Sequence, residues 1–392
     1  MEQNKENSIA VKRKGYLFTI IIIAALVLLI GVKLYFSGQK NYFFLFIYGL
    51  IVTTVILTTF LLSFTRYHDK SENIRNHKFY TKKQHPLISC IVAVYNEPLI
   101  IKRCVDSMLE SSYKNKEIIV VNDASTDNTR QILNNAFKNN KQVKIIHLAK
   151  NVGKKRALAQ GILQSKGDII IFTDSDSVKA KDAIERIVEI FVDDPEVGAI
   201  SGHSRALNAD ENILTRIQDV WYETQFSVEK ALESSYGVVT CVSGPLAGFR
   251  REAVYNYIPA WENDSFLGEE FKFATDRQLT GYVLGSKYIG EKLKKKYADS
   301  QFVKKIDYPT RNWKILYCKS ATVLTVVPNT FRRLIHQQVR WKKSFIRNLF
   351  FTGKFYWRKP TIPALKYYLG AIFTLFGPLI LLRHLVYLPL TG

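Results

Sequence analysis

Residues 167–177 read GDIIIFTDSDS, an apolar run of Ile169, Ile170, Ile171 and Phe172 that leads straight into two carboxylates, Asp174 and Asp176. β-Branched and aromatic residues without alternation predict a strand covered on both faces. The two aspartates then stand at its carboxyl end, where an α/β sheet places its ligands. One residue apart, they can share a hard divalent cation; Mg²⁺ or Mn²⁺ takes oxygen ligands, and Mg²⁺ needs only one or two carboxylates beside the phosphate oxygens of a substrate. An isolated D-x-D also reads as a polar strand end capping the next helix.

The sequence on either side favours the first reading. Residues 87–94 are strand-like, 98–111 form an amphipathic helical pattern, and 117–121 are a second strand ending at Asn122 and Asp123. A helix over 126–139, a strand over 143–147 and a helix over 154–165 lead into 168–172. This alternation predicts a largely parallel sheet. Polar groups gather at successive strand ends, Tyr95-Asn96-Glu97, Asn122-Asp123 and Asp174 to Asp176, which marks a nucleotide crevice. No glycine-rich phosphate loop follows the first strand, so P-loop NTPases and ordinary NAD enzymes fall from first place.

Residues 15–36 and 42–64 are each apolar enough and long enough to cross about 30 Å of hydrocarbon. Lys12, Arg13 and Lys14 precede the first, Arg66, Lys70 and Arg75 follow the second, and the loop between carries only Lys33 and Lys40. The positive-inside rule places the amino terminus and everything after Phe64 in the cytoplasm. Cys90, Cys104, Cys241 and Cys318 form no C-x-x-C pair, which suits reduced thiols and argues against zinc. The net charge of +22 comes with no nucleic-acid motif, and lipid contact explains it most economically.

Seven strings, in order, carry a resemblance: IVAVYNE (91–97), VVNDASTDNT (120–129), NVGKKRAL (151–158), TDSDS (173–177), VSGPLAGFRRE (242–252), TDRQLT (275–280) and QQVRWKKSFIRN (337–348). Together they resemble the family 2 glycosyltransferases and their nucleotide-sugar fold, GT-A. The last three look like the processive, membrane-embedded branch, most of all hyaluronan synthases, with chitin-oligosaccharide and chitin synthases close behind.

The resemblance implies a division of labour that the chemistry supports. Glu97 and Asp123 would accept hydrogen bonds from ribose hydroxyls and the uracil edge, with Tyr95 alongside the base. Lys154 and Lys155, opening a helix after Gly153, would face the diphosphate together with free backbone donors. Asp174 and Asp176 would hold the ion that bridges the phosphates. Ser243, Gly244 and Pro245 read as a turn that lets backbone approach a bound sugar. Cys241 either lines the UDP pocket or is a buried structural cysteine.

Asp276 would be the general base of an inverting transfer, followed by Arg277. Where the family carries an acid before this base, the chain has Ala274 and Thr275; Glu269 and Glu270 stand nearby as compensation. Gln337, Gln338, Arg340 and Trp341 lie within 329–351, whose interleaved basic and apolar residues suit a helix in the membrane interface. Arg340 can fork onto diphosphate oxygens, and Trp341 either stacks on the acceptor sugar or anchors the helix.

Residues 365–382 form a third apolar segment, broken by Gly377-Pro378. Members of the branch have further spans beyond this point, so the chain stops early or is a shorter variant.

The expected architecture is therefore an α/β GT-A domain with a mainly parallel sheet, flanked by transmembrane and interfacial helices. Two spans occupy 1–70, the cytoplasmic GT-A domain 86–300, interfacial helices with QQVRW 301–360, and a last span 364–390. The expected function is a multi-pass plasma-membrane polymerase of UDP-sugars, using Mn²⁺ or Mg²⁺. UDP-N-acetylglucosamine is the surest donor, UDP-glucuronate the second, and the growing polysaccharide the acceptor; nucleic acid is not a partner. The alternatives are a chitin-type synthase and a single-sugar transferase to a lipid.

Overall fold

A computed structural model describes residues 24, 27, 43–76, 85–273, 275–387 and 390. Apart from Ala24 and Val27, the first expected span lies outside the described residues. Two units divide the chain: residues up to Tyr67 with those from Trp357 onward, and His68–Tyr356.

In the smaller unit, α1 (Phe43–Arg66) and the helix Thr361–Leu382 are long and apolar enough to cross a membrane. Polar side chains within α1 are satisfied locally. Thr53, Thr59 and Thr65 donate to the carbonyls of Gly49, Val55 and Leu61 at 2.7, 2.7 and 2.8 Å. Such back-bonding suits a helix whose surroundings offer no water. The Tyr48 and Phe373 rings meet edge to face at 5.6 Å. The apolar segment read as a kinked span at Gly377-Pro378 is one helix that runs through both residues and passes into a π-helical turn, Arg383–Tyr387. Proline removes its own donor, and an apolar helix without competing partners keeps its other hydrogen bonds.

The larger unit opens with α2 (Lys70–Asn76), followed by β1 (Ile88–Val94), α3 (Ile101–Leu109), β2 (Lys116–Asn122), α4 (Thr129–Phe137), β3 (Val143–His147), α5 (Lys154–Leu163) and β4 (Ile169–Thr173). These follow the expected alternation closely. Then come β5 (Ser177–Lys179), α6 (Ala183–Asp193), β6 (Val197–Ala206), α7 (Ile213–Thr224), β7 (Ala247–Arg250), α8 (Thr275–Lys296), β8 (Lys314–Thr325) and α9 (Phe331–Thr352), with shorter turns between.

One sheet holds all eight strands in the order β3-β2-β1-β4-β7-β6-β8-β5. The β3-β2-β1-β4 pairings are parallel, β7 is antiparallel to both β4 and β6, and β5 is antiparallel to β8. Every residue of β1 and of β4 is buried, as strands covered on both faces require. The chain moves outward from β1 to β3 and then returns to lay β4 on the other side of β1. Strand order therefore reverses between β1 and β4, and a crevice opens at their carboxyl ends.

Lys70 and Arg75, which the charge pattern makes juxtamembrane cations, are committed to α6 and its C-cap residue, Asp194. Lys70 Nζ lies 2.8 Å from Asp194, and Arg75 Nε 2.8 Å from the buried Glu189. Replacing Ile171, fully buried in β4, by alanine is expected to cost about 2–5 kcal/mol, measured as a lowered denaturation midpoint of the solubilised chain.

Candidate functional site

At the crevice edge the backbone is forced into uncommon conformations. Asn96, just after β1, and Ala124, just after β2, have φ of 55° and 56°, a region that non-glycine residues seldom occupy. Asn96 ties the two loops together, accepting from Thr126 N at 2.9 Å while its own N–H donates to Ser125 Oγ at 3.0 Å. Tyr95 is exposed beside it. Glu97 is half-buried, and burial, reinforced by the charges of Asp176 and Asp127, raises its pKa.

Asp123 is buried and occupied. Its Oδ1 accepts from Val152 N at 2.8 Å and its Oδ2 from Gly153 N at 2.9 Å. The carboxylate thus fixes the loop before α5, where Gly153 takes a φ of 85° that a side chain would strain. Lone pairs on both oxygens remain for a ligand.

Lys154, the first residue of α5, reaches across the crevice to Asp174 Oδ1. Desolvation works to lower the Lys154 pKa, but Asp174, with Asp276 and Asp176 behind it, outweighs that and leaves it raised. Asp176 Oδ1 accepts from Ser177 Oγ and Thr325 Oγ1, each at 3.1 Å. Burial first, and the Asp174 charge second, raise the Asp176 pKa.

Because β7 runs against β4, the residues that precede it lie beside the residues that follow β4. Phe172 pairs with Ala247, so the turn of Ser243, Gly244 and Pro245 faces Asp174. Thr173 Oγ1 donates to Pro245 O at 2.9 Å, and Ser243 N donates to Ser201 Oγ at 3.2 Å. A Cβ on Gly244 would sit 2.9 Å from both Asp174 oxygens. The Gly244 N–H points at Asp276 Oδ2, 3.3 Å away. One glycine therefore separates Asp174 from the expected base. Asp276 sits in the first turn of α8, its Oδ1 accepting from Arg277 N at 2.8 Å, and the Arg277 guanidinium lies 5.8 Å from the Phe345 ring centre. Cys241 Sγ lies 3.7 Å from Asp276 Oδ2, and burial raises its pKa to about 11.

Gln337, Gln338, Arg340 and Trp341 all lie on α9, which Thr330 caps. Gln337 and Trp341 are one turn apart and share a face. The Trp341 ring packs at 5.6 Å from Trp221 and 6.4 Å from Tyr222 of α7. Burial raises the Tyr222 pKa, and the charges of Asp176 and Asp174 raise it further, so this aromatic cluster adjoins the aspartates. Gln337 Oε1 is buried without a hydrogen-bond partner among the described residues. Arg340 is exposed.

Lys155 departs from expectation. It does not face the crevice but is buried, with Nζ bonded to Asp264, Gln278 and the Phe271 carbonyl. Helical rotation of about 100° per residue turns it away from its neighbour Lys154. Glu270 pairs with Arg156 at 2.9 Å and Glu269 is exposed. Four contributors escape the sequence strings: Thr325, Tyr222, Asp264 and Lys230. Lys230, on a π-helical turn (Gln225–Lys230), donates to the Cys241 carbonyl, and burial lowers its pKa.

No group of three or more His, Cys, Asp and Glu side chains that could hold a metal occurs among the described residues. Two crowded carboxylates offering hard oxygen donors nevertheless fit a cation that completes its shell with phosphate oxygens and water.

Residues 89–258 match the family model described as glycosyl transferase family 2. The chain carries a family 2 glycosyltransferase domain. An N-acetylglucosaminyltransferase of Rhizobium leguminosarum bv. viciae is 31% identical to the chain over 287 residues, 72% of this chain and 60% of that protein. A hyaluronan synthase of Streptococcus pyogenes serotype M3 is 28% identical over 340 residues, 85% of this chain and 72% of that protein. The chain spans 60% or less of several of the N-acetylglucosaminyltransferases it matches. The fold also superposes on a mannosyltransferase from Pyrobaculum calidifontis with a TM-score of 0.52 at 18% identity, covering 83% of this chain and 81% of that one. This glycosyltransferase domain is thus an α/β, GT-A-like fold with a mostly parallel sheet.

Gly244→Ala is expected to push Asp174 off its position and cut glycosyl transfer by about 10²-fold, read as release of nucleoside diphosphate at saturating donor. Lys155 gives a pH signature. Burial lowers its pKa to about 8 from an ordinary 10.5, against the opposing charge of Asp264 and with Arg347 and Glu270 nearby. Between those values the unfolded chain binds the proton that the folded chain has lost, so this group's contribution to stability rises with pH. The melting temperature of the wild type minus that of Lys155→Met should therefore increase as pH is raised through this window.

Proposed function

We propose that the chain is a membrane-embedded, inverting β-glycosyltransferase that extends a polysaccharide from UDP-sugars, resembling hyaluronan synthase, with UDP-N-acetylglucosamine as a donor. The observation that carries this is the junction at Gly244, which brings Asp174, Lys154 and Asp276 within one crevice.

The acceptor hydroxyl oxygen attacks the anomeric carbon, the bond from that carbon to the diphosphate oxygen breaks, and UDP leaves. Asp276 takes the acceptor proton as the new bond forms. Its second oxygen is steadied by Arg277 N. Lys154 offers its ammonium to the diphosphate, and the amino end of α5 adds backbone donors. Asp174 and Asp176 would hold Mn²⁺ or Mg²⁺, which supplies Lewis-acid stabilisation of the departing diphosphate when bound. The mannosyltransferase of similar fold is solved with GDP-Man and Mn²⁺.

Glu97, Asp123 and Tyr95 are assigned to the nucleoside, and Ser243, Gly244, Pro245 and Arg277 to the sugar and base surroundings. Gln337, Gln338, Arg340 and Trp341 form the acceptor platform. The unpartnered Gln337 Oε1 supports this, since a sugar hydroxyl would satisfy a buried acceptor. α1 and the helix Thr361–Leu382 anchor the chain in the plasma membrane, with the catalytic unit in the cytoplasm.

A second reading is a chitin-type enzyme that uses N-acetylglucosamine alone. It is favoured by relatives named N-acetylglucosaminyltransferase at 29–31% identity.

The test is UDP release by the solubilised chain with Mn²⁺ or Mg²⁺, given UDP-N-acetylglucosamine, UDP-glucuronate, or both. High-mass polymer only with both donors supports the first reading, and sustained turnover on N-acetylglucosamine alone supports the second. Asp276→Asn is expected to reduce the rate by about 10²–10⁴-fold; a rate equal to wild type sinks the assignment of the base.

A further inference from the structure

Two residues within the sequence strings, Lys155 and Arg347, are turned away from the crevice and meet on a third residue that belongs to no string. Lys155 Nζ lies 3.2 Å from Asp264 Oδ2. Arg347 reaches the same carboxylate through Nε at 3.1 Å and through a terminal nitrogen to Oδ1. Lys155 also donates to Gln278 Oε1 at 2.7 Å and to Phe271 O at 2.8 Å. Gln278 Nε2 passes the chain on to Tyr282, whose hydroxyl donates to Ala260 O, both at 3.1 Å. The relative exposures of Lys155, Asp264, Arg347 and Gln278 are 6, 5, 6 and 0%.

An exposed ion pair holds little in place, but a carboxylate shared by two desolvated cations is costly to break, because removing it strands both charges. The segments that the cluster joins matter as much as its charges. Lys155 adjoins Lys154 in the first turn of α5, Gln278 is two residues beyond Asp276 in α8, and Arg347 is six beyond Trp341 in α9. Asp264 and Phe271 are the two feet of a short hairpin, Ser265–Phe266 against Glu269–Glu270, closed by Phe271 N donating to Asp264 O at 2.9 Å. The hairpin then leans on α9, with Phe266 at 5.7 Å from Phe350 and Phe273 at 5.8 Å from Lys343 Nζ.

We propose that Asp264 is a positioning residue that holds the acceptor platform of α9 and the base-bearing α8 in register with the diphosphate loop at the start of α5. This rests on the reading of Asp276 as base and α9 as platform. Transfer needs the acceptor oxygen, the anomeric carbon and the base aligned together, and a misplacement of about 1 Å can cost 10²-fold. Lys154 and Lys155 divide the work. The first grips Asp174 in the crevice, and the second clasps both feet of the hairpin.

The experiment uses the full chain in lipid nanodiscs with Mn²⁺ and UDP-N-acetylglucosamine, with and without chitotetraose as acceptor, and rates normalised to folded protein. In Asp264→Asn and in Lys155→Met the donor KM should stay within about twofold of wild type, while the acceptor-stimulated rate falls about 10²-fold and the acceptor KM rises. Acceptor-independent UDP release should persist. A merely structural role would lower the folded fraction and leave the rates per folded molecule alone. The proposal is overturned if stimulated and unstimulated release fall in equal proportion, or if neither falls. Should Asp264→Asn not fold, Lys155→Met, which leaves the Asp264–Arg347 pair intact, decides the matter. Wild-type protein without UDP release, or matched by Asp276→Asn, overturns the active-site reading and the proposal with it. An active wild type, a dead Asp276→Asn and an unaffected Asp264→Asn overturn the proposal alone.

Discussion

Like-charge crowding at one edge of the sheet is the constraint that the rest of the catalytic unit answers. Asp174, Asp176 and Asp276 converge there, and carboxylates so placed repel one another; for Asp176 burial adds to the repulsion and raises its pKa. Each is therefore given a different counterweight. Asp174 has the Lys154 ammonium, Asp176 has the hydroxyls of Ser177 and Thr325, and Asp276 has the backbone N–H groups of Arg277 and Gly244. These counterweights come from five separate parts of the chain, so the sheet order that gathers them is itself part of the electrostatics. A cation bound with a diphosphate would relieve the same crowding.

The architecture was legible from sequence where burial leaves a pattern. Strands covered on both faces appear as unbroken apolar runs, and their polar ends mark the crevice, so β1 to β4 and their intervening helices were readable to within a few residues. Lys154 and Lys155 show the limit of this. Their chemistry is identical and their spacing minimal, and only the turn of a helix sends one to the crevice and the other to the interior. Asp264 left no trace at all, because one acid among Glu262, Glu269 and Glu270 has neither period nor motif to single it out, and its partners lie 83 and 109 residues away.

Charge counting was silent in a different way. Lys70 and Arg75 belong to a basic cluster after an apolar span, and a one-dimensional reading uses them to set orientation without naming their partners. Their partners on α6 and at its C-cap are more than 100 residues distant, and Glu189 is buried only because Arg75 and Ser71 satisfy it. At Gly377-Pro378 the apolar pattern was the better guide, for the helix continues through both residues.

The strand β7 runs against its neighbours on both sides, and the segment that joins it to β6 leaves the sheet and returns to it at the same edge. About forty residues intervene, including α7 with its aromatic contacts to Trp341. A crossover between parallel strands must span the length of the sheet, so its size is bound to the dimensions of the fold. A loop between antiparallel neighbours carries no such obligation. Short of the Ser243–Pro245 turn that packs on Asp174, it can lengthen, shorten or change composition while the β1–β4 ladder stays in step. The fold thus keeps its evolvable tissue in one place, ahead of that turn and around the Trp221–Trp341 aromatic cluster, and leaves the β1–β4 ladder mechanically insulated from that experimentation.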